Sequence, residues 1–88
     1  MTTKTITVQI PTGLEARPVA VLVQVANQYS SSIYLENETR KVNAKSIMGL
    51  MTLGLHAGEK VIIHANGEDE ELAVNKIEEY LSGDGNIS

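Results

Sequence analysis

The chain has 88 residues, of which 42% are hydrophobic and 20% charged, and these proportions are typical of one ordinary globular domain. Its net charge of −4 and its scarcity of aromatics, limited to 3 tyrosines, argue against a direct nucleic-acid partner. It contains no cysteine, which excludes disulfides and thiolate metal sites, and we find no signal peptide or membrane span. We therefore expect a cytoplasmic protein that contacts other proteins rather than nucleic acid or membrane.

The N-terminal third of the chain predicts a strand followed by a helix. Over residues 5–10 the apolar Ile6, Val8 and Ile10 alternate with polar residues, which is the period of a strand with one buried face. Residues 11–13 interrupt the pattern with a proline and a glycine. From residue 16 to about residue 29 the apolar residues recur at helical spacing instead, namely at Val19, Leu22, Val23 and Ala26.

The central third predicts a hairpin and a short helix. Residues 32–36 form a second strand with Ile33 and Leu35 inward, and a polar turn leads into a short third strand at residues 41–43. Ser46 is placed to cap a helix that runs to Leu53 and ends at Gly54.

The C-terminal third predicts a strand, a helix and a flexible tail. Over residues 60–65 a fourth strand is expected, in which Val61, Ile63 and Ala65 alternate with Ile62 and His64. Asp69 is the expected cap of a helix over residues 70–81. The expected inner face of that helix consists of Ala73, Ile77, Tyr80 and Leu81. Residues 82–88 are the expected flexible tail of a single domain spanning residues 1–88. The order βαββαβα predicts an α+β fold, an antiparallel sheet with helices on one face.

Two segments of the chain resemble the HPr family of small bacterial phosphocarrier proteins. Residues 13–18 read Gly-Leu-Glu-Ala-Arg-Pro, where the family has Gly-x-His-Ala-Arg-Pro and its histidine carries a phosphoryl group. Residues 43–51 match the family segment around a regulatory serine, here Ser46, which a dedicated kinase phosphorylates. Because Glu15 replaces the carrier histidine while Ser46 is retained, the chain resembles the Crh branch of the family. The resemblance covers essentially the whole chain and implies an HPr-like open-faced sandwich with strand order 1-4-2-3.

The position of Glu15 leaves several interpretations open. A carboxylate just before a helix is commonly only an electrostatic partner of the helix start. It could also act as a nucleophile and form an acyl phosphate, or it could imitate a phosphorylated residue, although with less charge than a phosphate. An engineered replacement of histidine is a further alternative. Arg17 lies two residues on, and the resemblance assigns it, with Glu15, to a degenerate carrier site and to partner docking.

The segment after Ser46 is the expected docking surface. Four large apolar residues follow Ser46 so closely that a short helix cannot bury all of them, and Leu50 is the expected core residue. Exposed methionines suit an adaptable protein-binding surface. The resemblance places this partner surface at Arg17, Ala20, Ile47, Met48 and Met51. The alternative is that these apolar residues serve packing alone.

Other polar residues do not indicate a metal or cofactor site. His56 and His64 lack a second ligand at a suitable spacing, so zinc is not expected. The acidic run at residues 68–71 lacks the alternating oxygen ligands and central glycine of a calcium loop. Helix capping accounts for it.

Taken with these residues, the resemblance implies a regulatory adaptor without catalytic activity. Its expected partners are HPr kinase/phosphorylase, which would modify Ser46, and a LacI-type catabolite-control repressor, which would bind the phosphoprotein as its corepressor. The alternative function is a carrier of the phosphotransferase system that uses Glu15 or imitates a phosphorylated residue there. Residues 11–13 could also act as a hinge for strand exchange, which would give a homodimer.

Overall fold

The fold is a four-stranded antiparallel sheet with three helices packed on one face. Its strands are β1 (Thr2–Thr7), β2 (Ser32–Glu36), β3 (Lys41–Asn43) and β4 (Lys60–Asn66). Its helices are α1 (Ala16–Asn27), α2 (Ile47–Leu53) and α3 (Glu70–Leu81). The strand order is β1-β4-β2-β3, which confirms the α+β class and the 1-4-2-3 order expected from the sequence.

The computed structural model describes residues 1–9 and 16–82, with residues 16 and 17 described as backbone alone. Four predicted features therefore lie outside the described residues. They are the inward Ile10, the hinge at residues 11–13, the Glu15 position and nearly all of the expected tail, namely residues 83–88.

Alternating burial along the central strands creates the core. On β4 the side chains of Val61, Ile63 and Ala65 are buried, and on β2 those of Ile33 and Leu35 are buried. The register aligns these positions across the two strands, because Ile33 lies opposite Ala65 and Leu35 lies opposite Ile63. Each large aliphatic side chain buried in this way contributes about 1.5 to 3 kcal/mol to folding. The inward positions predicted for these two strands are confirmed.

The first strand begins earlier than the sequence pattern predicts. It spans Thr2–Thr7 rather than residues 5–10, since its ladder with β4 runs from the pair Thr2 and Ala65 to the pair Thr7 and Lys60. The predicted inward residues Ile6 and Val8 are both buried, although Val8 lies beyond the end of the strand. The prediction failed at the N-terminal end because that part of β1 turns polar side chains inward.

The other element ends agree closely with the predictions. The α3 helix has the predicted bounds and inner face, and it also buries Val74, which the prediction missed. The α1 helix ends at Asn27, short of residue 29, and β4 continues through Asn66. Within residues 1–9 and 16–82, no helix is long and apolar enough to cross a membrane.

The predicted capping role of Asp69 is wrong. Asp69 occupies the N-cap position of α3, but its side chain makes no capping hydrogen bond. Its carboxylate instead accepts from the backbone N–H groups of Ser30 (2.9 Å) and Ser31 (3.0 Å), and from the Ser31 hydroxyl. The Ser31 hydroxyl bond is the largest cause of a fall in the pKa of Asp69 to about 2. Asp69 therefore fastens the start of α3 to the segment between α1 and β2.

Candidate functional site

The hydroxyl of Ser46 caps the α2 helix. Ser46 has the extended backbone of an N-cap residue (φ −111°, ψ 117°), and its Oγ accepts a hydrogen bond from the N–H of Gly49 at 3.1 Å. At the other end of α2, Gly54 adopts the left-handed conformation (φ 63°, ψ 39°) that terminates helices. Both predicted ends of α2 are confirmed. A phosphate on Ser46 would lie beside backbone N–H groups at the start of the helix.

Lys45 precedes Ser46 and makes a side-chain contact of its own. The Lys45 Nζ donates to the backbone carbonyl of Tyr29 at 2.7 Å, which ties the start of α2 to the end of the α1 region. The loop itself is fixed by Asn43, whose Oδ1 accepts from the Lys45 N–H and whose carbonyl accepts from the Ser46 N–H.

Close packing of α2 on the neighbouring strand determines which of its residues can be buried. A Cβ atom at Gly49 would lie 3.3 Å from the Cβ of Val42 on β3, so the absence of a side chain there permits the close approach. Leu50 and Leu53 point into the core and are buried, in agreement with the prediction for Leu50. The remaining large residues of this short helix are turned outward because successive residues are rotated by about 100°.

Three large apolar side chains consequently form an exposed patch directly after Ser46. The exposed fractions are 52% for Ile47, 76% for Met48 and 47% for Met51. We call these three residues the α2 patch. Their exposure contradicts the alternative that they serve core packing alone.

The α1 helix packs beside α2 and supplies the other predicted docking residues. Ala20 is exposed on α1. Arg17 lies in the first turn of α1, and its side chain is not among those described, whereas Glu15 lies outside the described residues entirely. The start of α1 is fastened to α3, because the Tyr80 hydroxyl donates to the carbonyl of Pro18 at 3.4 Å, and burial raises the pKa of Tyr80.

His64 and Glu36 form a pair on the open face of the sheet that the sequence did not predict. The Nε2 atom of His64 lies 2.7 Å from Oε1 of Glu36, and the two residues occupy the adjacent strands β4 and β2. Only the strand register could have shown this proximity, because the residues are 28 positions apart in sequence. Over the described ranges, no group of three His, Cys, Asp or Glu side chains is arranged to hold a metal ion.

Comparison with known proteins identifies the family. A family model described as the phosphorylation site of the HPr component of the phosphotransferase system matches residues 2–82. The chain belongs to the HPr family. Among curated relatives, it is 47% identical over 81 residues to the HPr-like protein Crh of Bacillus subtilis, covering 92% of this chain and 95% of that protein.

Solved structures of HPr-family proteins share the fold described above. The structure of HPr-C-His from Thermoanaerobacter tengcongensis is 42% identical, with a TM-score of 0.92, and the match covers 100% of this chain and 99% of that one. The crystal structure of Bacillus subtilis Crh is 45% identical, with a TM-score of 0.77, covering 96% and 97% of the two chains, and is described as a dimer with a swapped domain. The chain is thus a phosphocarrier-like or Crh-like member of the HPr family.

Proposed function

We propose that this protein is a regulatory adaptor of carbon catabolite repression, working through phosphorylation of Ser46. In this proposal HPr kinase/phosphorylase transfers the γ-phosphoryl group of ATP to the Ser46 hydroxyl in the cytoplasm. The phosphoprotein then binds a LacI-type catabolite-control repressor as its corepressor. The DNA contacts belong to the repressor, and this chain has no catalytic role.

The observation that carries the proposal is the position of Ser46 next to the exposed α2 patch. A phosphate on Ser46 and the side chains of Ile47 and Met48 would meet a partner together, since the exposed Ile47 and Met48 directly follow the half-buried Ser46 at the start of one helix. A surface that combines a new charge with adaptable apolar side chains suits a partner that must distinguish the phosphorylated from the unmodified form. The Crh relatives support the same interpretation.

The contact of Lys45 supports presentation of the phosphate to a partner. Phosphorylation adds about 1.5 to 2 negative charges at neutral pH. Lys45, the residue next to Ser46, already donates to the Tyr29 carbonyl, so one of its three N–H groups is engaged before any phosphate is present. A partner with an arginine or lysine facing Ser46 would therefore gain a charge-assisted contact that only the phosphoprotein offers.

Calorimetric titration of the purified repressor with phosphoprotein tests the proposal. We expect tight binding by the phosphoprotein and much weaker binding by unmodified protein. Met48→Ala and Ile47→Ala should each weaken binding by roughly 1 kcal/mol or more, as expected for interface anchors. Leu72→Ala is the matched control, because Leu72 is an equally apolar residue that is 65% exposed on α3, away from the α2 patch.

Equal loss of affinity in the Leu72 and Met48 variants would show that the α2 patch is not the docking surface. If phosphorylated and unmodified protein bind the repressor equally well, the corepressor function itself is contradicted.

The alternative function, a phosphotransferase carrier acting at Glu15, is tested by incubation with labelled phosphoenolpyruvate and enzyme I. Label that is stable in the parent chain and absent after Glu15→Ala would favour the carrier.

We also propose that two copies form a homodimer by exchange of β1. The proposal is supported by the similar Bacillus subtilis Crh structure, described as a dimer with a swapped domain. Within residues 1–9 and 16–82, β1 is an edge strand that pairs with β4 alone, so it can leave without separating two other strands. Size-exclusion chromatography over a range of protein concentrations measures the dimer.

A further inference from the structure

The N-terminal half of the strand that would be exchanged buries little apolar surface. In the ladder with β4, the β1 residues Thr2, Lys4 and Ile6 lie opposite Ala65, Ile63 and Val61, so they share the face covered by the helices. Of these three inward positions only Ile6 is buried and apolar. The N-terminal half of β1 is therefore attached by its backbone ladder and by polar side chains.

Each of the two inward polar side chains contacts an acid on α3. The hydroxyl of Thr2 donates to Oε2 of Glu70, and Nζ of Lys4 lies 2.7 Å from Oε1 of Glu78. The Glu70 carboxylate also accepts from the backbone N–H of Gly67 at 3.2 Å, which fixes its orientation. The hydrogen bond from Thr2 is the largest cause of the lowering of the Glu70 pKa to about 2, so this carboxylate is ionised at neutral pH.

Because Thr2 and Lys4 hold β1 to α3 by polar contacts, this part of β1 detaches at a lower free-energy cost than an apolar strand would. When an apolar strand leaves a core, each buried aliphatic side chain that becomes exposed costs about 1.5 to 3 kcal/mol. When Thr2 and Lys4 leave α3, water replaces their partners, so the net cost of each contact is far smaller. The N-terminal half of β1 can thus separate more readily than β2 or β4, and its polar contacts with α3, which include an ion pair of the Met1 ammonium with Glu70 Oε2 at 3.0 Å, decide how readily.

We propose that the Thr2 to Glu70 and Lys4 to Glu78 contacts form a latch that sets the rate at which β1 detaches from its own subunit and is exchanged between copies. The exchange part rests on the proposed dimer. In a strand-exchanged dimer the same two contacts re-form between copies, so the latch stabilises monomer and dimer alike. The detached intermediate lacks it. Loss of the latch should therefore speed exchange in both directions and leave the monomer–dimer equilibrium constant unchanged.

The test compares a latch variant, Thr2→Val with Glu78→Gln, with a control that carries the same chemical changes elsewhere. The control is Thr3→Val with Glu79→Gln, because Thr3 lies on the open face of β1 and Glu79 is an exposed neighbour of Glu78. Hydrogen exchange of the β1 amides measures detachment in the monomer. Mixing isotopically labelled with unlabelled protein, followed by native mass spectrometry, measures strand exchange.

We expect the latch variant to raise the exchange rate of the β1 amides by about fivefold or more, with the control near the parent rate. Restoring the hydroxyl with Thr2→Ser in place of Thr2→Val should recover part of the slow rate. If latch and control variants show the same rates, the latch does not exist, whether or not a dimer forms. A raised amide exchange rate without any dimer would uphold the latch and refute the proposed dimer.

Where the dimer forms, the subunit-mixing experiment gives a second decisive result. Faster mixing at an unchanged ratio of dimer to monomer supports the latch. A changed ratio with unchanged mixing rate contradicts it, because the two contacts would then favour one of the two folded forms instead of opposing detachment.

Discussion

Replacing Ser46 by alanine tests both the geometry of the α2 helix and its predicted modification. The change removes Oγ, which accepts from the Gly49 N–H at 3.1 Å. Loss of a serine cap to alanine costs about 0.5 to 2 kcal/mol, typically about 1 kcal/mol. The loss should lie within this range because α2 supplies the buried Leu50 and Leu53, so fraying at its start disturbs the core.

In a domain of this size, 1 kcal/mol lowers the melting temperature by about 4 to 8 °C. Urea unfolding followed by far-ultraviolet circular dichroism measures the change in the free energy of unfolding at 25 °C. If the slope of that free energy against urea concentration is unchanged, the folded and unfolded states keep their compactness. Ser46→Asp is the control, since an aspartate also accepts the Gly49 N–H and should stay within about 0.5 kcal/mol of the parent. Equal stability of the Ala and Asp variants would refute the cap. Incubation of the Ala variant with kinase and ATP should add no phosphate.

Two further predictions concern stability. Asp69 and Glu70 have pKa values of about 2 in the folded protein, below their ordinary values. Their contribution to the free energy of unfolding is therefore complete above about pH 4.5 and is lost as the pH falls toward 2. The urea concentration at the unfolding midpoint should therefore fall as the pH is lowered from about 4.5 toward 2, and Asp69→Asn should reduce this fall. Gly67→Ala should cost about 1 to 3 kcal/mol, because its Cβ would lie 2.7 Å from the Cα of Ser31. Gly54→Ala, in open space but at a positive φ, should cost about 1 kcal/mol, and equal losses in the two variants would contradict the steric argument.

The parts of the fold that the sequence predicted are those with strong local signals. The β2 strand, the β3 strand and α3 have the predicted bounds, because an alternating pattern, a polar turn and a helical period each mark them over a few residues. The cap at Ser46 and the terminator at Gly54 are likewise local, since each acts within one turn of its own helix. These features require no knowledge of distant contacts.

The features that the sequence did not predict depend on contacts between distant segments. The start of β1 at Thr2 is fixed by pairing with Ala65 and by the contact with Glu70, neither of which leaves a periodic signal. Asp69 was assigned a local cap, but Ser30 and Ser31 offer its carboxylate more donors than the first turn of α3 does. A carboxylate at a helix start has several possible partners, and only the folded chain selects among them.

The candidate site shows the same division between local and distant determinants. Exposure of Ile47, Met48 and Met51 follows from helical geometry once Leu50 and Leu53 are buried, so the sequence could predict a surface there. The engagement of Lys45 with Tyr29 could not be predicted, because it depends on how α1 and α2 are placed together. The contact bears on the proposed function, because the Lys45 ammonium already donates to one acceptor beside the residue that we propose is phosphorylated.

The strand order also separates the two regulatory features that we propose. The Ser46 site follows β3 at one edge of the sheet, whereas the latch lies on β1 at the opposite edge, with β4 and β2 between them. The α2 helix packs against α1 and β3, which belong to the part of the chain that stays in place when β1 is exchanged. Exchange of β1 should therefore leave the surroundings of Ser46 intact. A strand-exchanged dimer would then carry two unaltered phosphorylation sites, so kinase and repressor could act on either form.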